Sequence, residues 1–580
     1  MNAWFRALCA LGAAALLALA PAPGEPPPGS AVEVTQGVRI PLRDGVELNA
    51  DLYRPAGASG PLPVIWTLTP YRVETYREQA TFFAGRGFAF VAADVRGLGG
   101  SGGVFEPHVA DGRDGFDAVE WIARQPWSNG RIGMWGGSYT GVAQWMLLKE
   151  RPPHLVTIAP TAAGYPGFDF PMSRNIVLPF GFQWLQQVAR PAAAAPRDPA
   201  SWTETFRKLY LAGRSLRDLE AVAGAPSPIF QKWLSHPAID AYWKSMVPSA
   251  EDYARADLPI LTITGTYDGN QPGALRHYRE HMTHGSAQGR ARHYLVIGPW
   301  DHAGTRKPQL QLGGLTFGPA SALDMLALHA AWFDATLRGG PWPAFLQKRV
   351  AWYVTGAGAE VWKYADDLKE AATGRRTLYL GSGGRLAAAP PPQRSRPGHW
   401  VYDPRDLEPG REEGGPIPGL TDDRLVRTLG NRGLVYQTEP FPEPVEITGD
   451  VRLTLHLRLD VPDTDLQATL YEILPDGSSV LLGSDWLRAR YRHSPERAEL
   501  VRPGSIERYE LNVFPWFSRR AAAGSRLRLV VCSPNTLHLQ KNYNGGGVVA
   551  EESAKDARVA HITVYHDAAH PSALEIPVVR

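Results

Sequence analysis

The most constraining feature of this sequence is an alternation of short apolar runs with segments of helical periodicity between residues 34 and 165. The nearly continuous apolar runs lie at residues 64–68, 88–93, 132–135 and 155–158. Runs that are apolar on both faces are typical of strands buried inside a parallel sheet, and the helices between them are the crossovers that such a sheet requires. This part of the chain is therefore predicted to form an α/β sheet.

The alternation is interrupted and then resumes, which predicts a split domain. Residues 166–256 are rich in Trp, Phe, Arg and Ala and show helical spacing, so they are predicted to form an inserted helical cap. Further apolar runs at 260–264 and 294–297 assign residues 31–165 and 257–347 to one α/β domain. From residue 348 to 580, apolar and polar residues alternate between turn signals, as they do from Val451 to Leu457, and this pattern predicts a β-sandwich of the jelly-roll type.

The composition excludes several classes of protein. Of the residues, 44% are hydrophobic and 20% are charged, which is typical of a globular chain and not of a disordered one. The net charge is +2 and there is no long run of like charge, so the sequence does not predict nucleic acid as a partner.

The N-terminus is predicted to be a targeting segment. Arg6 precedes an apolar run from Ala7 to Ala20, and Pro21 and small residues follow it. The run is shorter than the ~20 residues that span a bilayer as a helix. Residues 1–30 are therefore interpreted as a signal peptide and linker of a secreted or periplasmic protein without a stable membrane anchor.

The sharpest motif is Gly137-Ser138-Tyr139-Thr140-Gly141, which follows the apolar run at 132–135 and begins a helical pattern. A serine between small residues at a strand-to-helix turn can be held with its hydroxyl exposed, as in the nucleophile elbow of α/β-hydrolases. The usual pattern has glycine two residues after the serine, where this chain has Thr140. An ordinary turn in which Ser138 caps a helix remains the alternative.

Candidates for the other two members of a catalytic triad appear in the expected order. Asp268 follows the run at 260–264, and His302 follows the run at 294–297. Serine hydrolases with this kind of sheet order their triad Ser, Asp, His, because the hydroxyl needs a base and the base needs a carboxylate to orient it. Asp301 is a rival for the acidic role, but side chains of adjacent residues usually point apart, so Asp268 is preferred.

Together these motifs resemble the cocaine esterase-like, X-Pro dipeptidyl-peptidase-related (CocE/NonD) serine hydrolases over nearly the whole chain after the signal. The resemblance is carried by Pro70-Tyr71, residues 94–97, 125–128, 137–141, 267–269 and 298–302, with residues 463–465, 475–477 and 487–490 in the C-terminal part. It implies an α/β-hydrolase sheet with a helical cap and a jelly-roll domain. It also implies Ser138 as nucleophile, His302 as base, Asp268 as its orienting acid, and an oxyanion site formed by the Tyr139 amide and the Tyr71 hydroxyl.

Two other motifs are interpreted as structural. Residues 97–102 match G-x-G-x-x-G, but no helical pattern begins directly behind them to receive a dinucleotide phosphate. His277, His281 and His284 could share a helix face and hold a metal, but the interleaved Arg276 and Glu280 favour a solvated face. No cofactor and no metal are predicted.

The family hydrolyses several kinds of ester and amide, and the fold does not choose among them. The α-amino acid ester hydrolase branch has acidic residues just after the triad aspartate, where this chain has Asn270 and Gln271. Since an ammonium group in a dry pocket needs a counter-charge, a small-molecule ester or amide with an uncharged acyl group is the expected substrate. Glu74 or residues of the cap could still supply that charge. Two alternatives remain for the function: X-Pro dipeptidyl-peptidase or amino-ester activity, and a non-catalytic β-sandwich binding protein. The sequence also leaves open whether the protein is a homo-oligomer.

Overall fold

The computed structural model describes residues 31–189, 198–411, 413 and 419–579. The predicted signal peptide at residues 1–30 lies outside the described residues, as does most of the Pro- and Ala-rich segment at 191–199. None of the helices in the described ranges has both the length and the apolar character that a bilayer crossing requires.

The described residues up to Ala365 contribute fourteen strands. In chain order they are β1 (Val32–Pro41), β2 (Glu47–Pro55), β3 (Leu62–Thr69), β4 (Ala89–Asp94), β5 (Ser128–Gly137), β6 (Leu155–Thr161), β7 (Met172–Ser173), β8 (Ile176–Val177), β9 (Ile260–Tyr267), β10 (His293–Asp301), β11 (Gln311–Leu312), β12 (Leu315–Thr316), β13 (Val350–Val354) and β14 (Val361–Ala365).

Ten of these strands form one sheet in the order β1-β2-β4-β3-β5-β6-β9-β10-β13-β14. The strands from β4 to β13 along this order are parallel, and β1, β2 and β14 are antiparallel to their neighbours. The six predicted apolar runs fall in β3, β4, β5, β6, β9 and β10, where nearly every residue is buried. The prediction of an α/β-hydrolase-type sheet is confirmed.

The sheet extends past the predicted boundary at residue 347. The strand β13 is buried along its whole length and pairs in parallel with β10, and β14 closes that edge. A buried apolar strand of five residues resembles a sandwich strand in sequence, and only its pairing assigns it to the first sheet.

Helices cover both faces of the sheet and form the cap, and two short ones lie in the C-terminal part. They are α1 (Arg77–Ala84), α2 (Asp111–Ala123), α3 (Tyr139–Glu150), α4 (Phe180–Val188), α5 (Pro199–Leu211), α6 (Leu219–Ala223), α7 (Pro228–Leu234), α8 (Ala241–Lys244), α9 (Ala250–Ala254), α10 (Gln271–His284), α11 (Ala287–Ala291), α12 (Met325–Phe333), α13 (Glu408–Arg411) and α14 (Arg424–Arg427). The helices α4–α9 lie between β6 and β9 in the sequence, where the insertion was predicted. One turn of π-helix at Asp334–Arg338 continues α12.

The C-terminal part is rich in β-structure, as predicted. Its strands are β15 (Gly374–Gly381), β16 (Arg385–Ala387), β17 (Gly398–Tyr402), β18 (Gly433–Gln437), β19 (Val445–Gly449), β20 (Arg452–Leu459), β21 (Asp465–Ile473), β22 (Ser479–Arg488), β23 (Ile506–Leu511), β24 (Phe517–Ala521), β25 (Arg526–Cys532), β26 (Ala560–Tyr565) and β27 (Ala573–Val579). Alternate residues of β20 are buried in one core, as the sequence pattern indicated. The jelly-roll arrangement of these strands stays a prediction.

A buried ion pair of the C-terminal domain also connects that domain to the cap. Arg488 donates two hydrogen bonds of 2.9 Å to the carboxylate of Asp465, and both side chains are almost fully buried. The same guanidinium donates to the backbone carbonyl oxygen of Asn175, in the cap, at 2.9 Å. A buried guanidinium needs all of these acceptors, because an unpaired charge inside a protein is costly.

The three histidines weighed as a metal site do not form the solvated face that the sequence predicted. His277 and His281 are fully buried, and only His284 is partly exposed. His277 lies between the Tyr253 hydroxyl at 2.7 Å and the Gly164 carbonyl oxygen at 3.2 Å, and Trp145 stacks on its ring. His281 bonds the ring of His293 at 2.9 Å. Neutral imidazole rings can make all of these hydrogen bonds. Burial lowers the pKa of His277 to about 3.

This burial predicts a loss of stability in mild acid. An unfolded histidine titrates near ~6.5, so below that pH the unfolded chain binds a proton that folded His277 does not bind. The free energy of unfolding should therefore fall as the pH falls from 7.5 to 5.5, by up to ~1.4 kcal/mol per pH unit for each such histidine. Urea unfolding of His277→Gln should show a shallower dependence on pH than the unsubstituted protein. Equal slopes for His277→Gln and the unsubstituted protein would contradict this explanation.

Candidate active site

Ser138 lies in a strained turn between β5 and α3. Its backbone has φ 62° and ψ −124°. Residues other than glycine rarely adopt this conformation, which costs of the order of 1–3 kcal/mol. Its amide donates to the Thr161 carbonyl oxygen of β6 at 2.9 Å, and its own carbonyl oxygen accepts from the Gly141 amide at 2.9 Å. These bonds hold the turn in the geometry expected of a nucleophile elbow.

The residues around the serine explain the departure from the usual elbow pattern. A Cβ atom at Gly136 would lie 2.2 Å from the Thr140 hydroxyl, and one at Gly141 would lie 2.8 Å from the Thr161 carbonyl oxygen. The Thr140 hydroxyl donates to the Gly137 carbonyl oxygen at 2.8 Å. Glycine is thus required three residues after Ser138, where α3 approaches β6, whereas the position of Thr140 has room for a side chain that braces the turn.

Asp268 and His302 meet at the same edge of the sheet, because they follow the neighbouring parallel strands β9 and β10. The His302 Nδ1 atom lies 2.8 Å from Asp268 Oδ1, which also accepts from the Asn270 amide at 2.9 Å. The side chain of Asp268 is 0% exposed and that of His302 is 28% exposed. A buried carboxylate that bonds Nδ1 fixes the tautomer and leaves Nε2 to exchange protons.

The rival carboxylate is engaged elsewhere. Asp301 Oδ1 accepts a hydrogen bond of 2.7 Å from the Gly304 amide, within its own loop. The structure therefore brings Asp268, and not Asp301, into contact with the imidazole of His302.

Tyr71 approaches the serine from the loop after β3. Its hydroxyl donates to Ser138 Oγ at 3.5 Å and accepts from the Trp184 indole N–H at 3.4 Å. The Tyr71 amide donates to the Thr69 hydroxyl at 2.9 Å, which fixes the start of the loop. A phenol donor beside Ser138 Oγ is suitably placed for an oxygen anion that develops on a bound carbonyl group.

The side chain of Tyr139 is held by two hydrogen bonds and two stacked rings, which fix the position of the backbone amide next to Ser138. The Tyr139 hydroxyl donates to Asp111 Oδ1 at 3.1 Å and accepts from the His108 amide at 3.2 Å. The ring of His108 stacks on one side of Tyr139 at 4.0 Å, and Trp184 stacks at 5.8 Å. Burial, the largest effect, raises the pKa of Tyr139 well above its usual value, so the phenol stays neutral. Sequence reasoning missed Asp111 and His108, whose roles depend on contacts 28 and 31 residues away along the chain.

Aromatic residues of the cap pack over this region. Trp184 contacts Phe170 edge-on at 5.6 Å and stacks on Trp233 at 6.5 Å. Phe182 instead packs against Trp202 and Phe230 and is fully buried. The aromatic residues of the cap therefore divide into structural residues such as Phe182 and residues near Tyr71 such as Trp184.

Asn270 and Gln271, which stand where carboxylates were considered, serve the structure. Gln271 is fully buried, and its amide donates to the Trp516 carbonyl oxygen and accepts from the Trp516 amide, both at 2.7 Å. Asn270 donates through its side chain to Asp169. The two Asp169 oxygens also accept from the amides of Tyr165 and Gly273, at 2.7 and 2.8 Å. Burial raises the pKa of Asp169 to about 7, which weakens it as a counter-charge for an amine.

Comparison with known proteins identifies the family to which this chain belongs. The model of the X-Pro dipeptidyl-peptidase (S15 family) matches residues 44–304, and that of the X-Pro dipeptidyl-peptidase C-terminal non-catalytic domain matches residues 345–575. The cocaine esterase of Rhodococcus sp. (strain MB1 Bresler) is 30% identical, over 94% of this chain and 99% of that protein. The chain belongs to the cocaine esterase-like, X-Pro dipeptidyl-peptidase-related family. It is a serine hydrolase.

Solved structures similar to this serine hydrolase show the same fold. An α-amino acid ester hydrolase superposes with a TM-score of 0.83 at 22% identity, over 96% of this chain and 98% of that one. An aminopeptidase from a marine sediment archaeon, Thaumarchaeota archaeon, superposes with a TM-score of 0.80 at 22% identity, over 96% and 99% of the two chains.

The position of Tyr71 in this hydrolase predicts a large effect of removing one oxygen atom. In Tyr71→Phe the ring remains, but the donor beside Ser138 is lost, and deleting one oxyanion donor typically lowers kcat by ~10² to 10³. We expect kcat to fall at least about tenfold with a smaller change in KM, since the bond strengthens in the transition state.

The matched control for this variant is Tyr509→Phe. It removes a buried hydroxyl on β23 of the C-terminal domain that has no hydrogen-bond partner in the described residues, and it should leave kcat nearly unchanged. Steady-state kinetics that gave Tyr71→Phe the same kcat as the unsubstituted enzyme would refute the oxyanion role.

Proposed function

We propose that this serine hydrolase cleaves carboxylic esters with uncharged acyl groups through an acyl-enzyme on Ser138. The observation that carries the proposal is the hydrogen bond of 2.8 Å between His302 and buried Asp268 at the edge of the sheet where Ser138 lies in its elbow. A serine hydroxyl becomes a nucleophile only when a base accepts its proton, and this arrangement supplies an oriented base.

In the first half of the reaction, Ser138 Oγ attacks the carbonyl carbon of the ester and its proton passes to His302 Nε2. The carbonyl oxygen becomes an anion that accepts hydrogen bonds from the Tyr139 amide and the Tyr71 hydroxyl. The bond from the carbonyl carbon to the alcohol oxygen then breaks, and His302 returns the proton to the departing alcohol. Asp268 stabilises the imidazolium and remains ionised.

In the second half, a water molecule attacks the acyl-enzyme while His302 accepts one of its protons. The bond from the carbonyl carbon to Ser138 Oγ breaks, Ser138 regains its proton, and a carboxylic acid leaves. The same two donors stabilise the second oxyanion, so one site serves both steps.

The preference for an uncharged acyl group rests on the absence of a free carboxylate at three positions. Gln271 is neutral and bonded to Trp516, Asn270 is neutral, and the oxygens of Asp169 already accept backbone amides. An α-ammonium group would lose its hydration there without gaining a counter-charge. The amino-ester and X-Pro peptidase alternatives are disfavoured for the same reason.

We also propose that the protein is exported, as a secreted or periplasmic enzyme. The support is the apolar run from Ala7 to Ala20 behind Arg6, with Pro21 and small residues after it. Expression of the full chain in a bacterium, followed by mass spectrometry of the N-terminus in each cell fraction, tests this proposal.

An organophosphonate probe should label Ser138, because a base-activated serine reacts where other serines do not. Peptide mapping locates the label, and His302→Ala should abolish the labelling. Ser101 gives a matched control, since it too is flanked by glycines, but its hydroxyl donates to the Asp94 carbonyl oxygen at 2.8 Å. Ser101→Ala should therefore label normally; an active enzyme labelled elsewhere than Ser138 would overturn the mechanism.

A pair of esters of equal size tests the acyl preference. We expect kcat/KM for a 3-phenylpropionyl ester to exceed that for the phenylalanyl ester of the same alcohol by about tenfold or more at pH 7. The phenylalanyl group carries an α-ammonium that would lose its hydration without gaining a counter-charge, whereas the apolar contacts of the two acyl groups are similar. Ser138→Ala corrects for spontaneous hydrolysis. A higher kcat/KM for the phenylalanyl ester would move amino-ester hydrolysis to first place.

A further inference from the structure

A cavity lies behind the turn that holds Ser138, outside the site described above. It has a volume of about 250 Å³ and opens between the start of α1, the loop after His302 and the start of α12. The backbone of Gly136 and Gly137 forms part of its wall, whereas Ser138, Asp268, His302 and Tyr71 do not line it. We call it the Arg306 cavity and define it by Gln79, Trp135, Thr161, Arg306 and His329, the lining residues that carry the inference.

Five buried polar atoms of these lining residues have no hydrogen-bond partner in the described part of the chain. They are Gln79 Oε1, Trp135 Nε1, Thr161 Oγ1, Arg306 NH1 and His329 Nε2. The side chains of Thr161, His329 and Trp135 belong to residues that are only 2%, 3% and 7% exposed. Buried polar groups are nearly always paired with protein groups or with ordered water, so this concentration of unpaired atoms around one cavity indicates that a polar molecule fills it.

The positively charged side of the cavity is formed by Arg306. Its NH1 atom packs against Gly137 so closely that a Cβ atom there would lie 2.9 Å away. The adjacent Lys307 is already paired with Glu78 at 3.1 Å, and the exposed Asp324 at the rim accepts from the Ala327 amide at 2.9 Å. A planar guanidinium with a buried, unused N–H group is best satisfied by a carboxylate.

The remaining atoms specify the rest of the ligand. The indole of Trp135 can only donate, so it adds a second donor beside Arg306. His329 Nδ1 donates to the Met325 carbonyl oxygen at 2.7 Å, which leaves Nε2 of the neutral ring as an acceptor. Gln79 Oε1 is also an acceptor, and Thr161 Oγ1 can play either role. A ligand that fits must therefore both accept and donate hydrogen bonds.

We propose that the Arg306 cavity binds a small hydroxycarboxylate, whose carboxylate accepts from Arg306 and Trp135 and whose hydroxyl donates to His329 or Gln79. The proposal does not depend on the reaction proposed above. The cavity volume of about 250 Å³ is larger than lactate, so one lactate fits together with water. The proposed bonds would satisfy three of the five unpaired atoms. No bond is made or broken in this binding.

Lactate is the probe, and isothermal titration calorimetry on the Ser138→Ala protein is the measurement. This background removes turnover, so the result stays interpretable whatever the role of Ser138. We expect one molecule of lactate per chain, and propionate, which lacks the hydroxyl, should bind at least about threefold more weakly. Arg306→Gln should weaken lactate binding at least about tenfold.

Two further variants keep the test decisive. Trp135→Phe keeps a ring in the core but removes the donor, and should weaken lactate binding without abolishing it. Lys348→Gln removes a positive charge that does not line the cavity and should bind lactate as the parent protein does. Thermal unfolding without lactate checks that each variant folds. In the presence of lactate, the Tm of a variant that binds it should rise, because the ligand stabilises the native state.

Three outcomes would overturn the proposal. One is the absence of lactate binding at concentrations up to about 50 mM. Another is equal affinity in Arg306→Gln and its parent, which would locate binding elsewhere, for instance at the catalytic edge. The third is equal affinity for lactate and propionate, which would remove the role given to the hydroxyl group.

Discussion

The site depends on one strained turn, at Ser138. With φ at 62°, the serine can point its hydroxyl away from the sheet only while the neighbouring backbone lies very close, and this closeness excludes a side chain at Gly136 and Gly141. The hydrogen bonds of Ser138 and Thr140 to Thr161 and Gly137 stabilise the turn. Strain of this kind persists only where the surroundings fix it, which is why it marks functional sites.

The parallel strands do the rest, since they bring distant parts of the chain to one edge. The residues that follow β3, β5, β9 and β10 include Tyr71, Ser138, Asp268 and His302, which are spread over more than 200 positions. The cap then adds Trp184, whose N–H donates to the Tyr71 hydroxyl and whose ring stacks on Tyr139. Precision at the site therefore comes from the rigid sheet, and shape comes from the insertion.

The buried strands and the order of Ser138, Asp268 and His302 could be predicted because both leave local signals in the sequence. The burial of His277 and His281 could not, since Arg276 and Glu280 interleave with them and the pattern does not say which face of a helix is packed. The assignment of β13 to the first sheet depended on its pairing with β10. The roles of Gln271 and Arg306 depended on partners or cavities formed by residues far away in the chain, and such contacts leave no periodic trace.

Gln271 shows why the C-terminal domain belongs to the site although it supplies none of its candidate catalytic groups. The glutamine begins α10 three residues after Asp268, and its amide pairs with both backbone groups of Trp516, 245 residues away. Each such bond contributes about 0.5–1.5 kcal/mol net, and leaving either partner unpaired in the core would cost more. Buried Arg488 makes a second connection, since it bonds the backbone of Asn175 in the cap. The β-rich domain thus fixes both the loop that orients His302 and the cap above Ser138, and a chain without it would leave buried polar groups unpaired at both places.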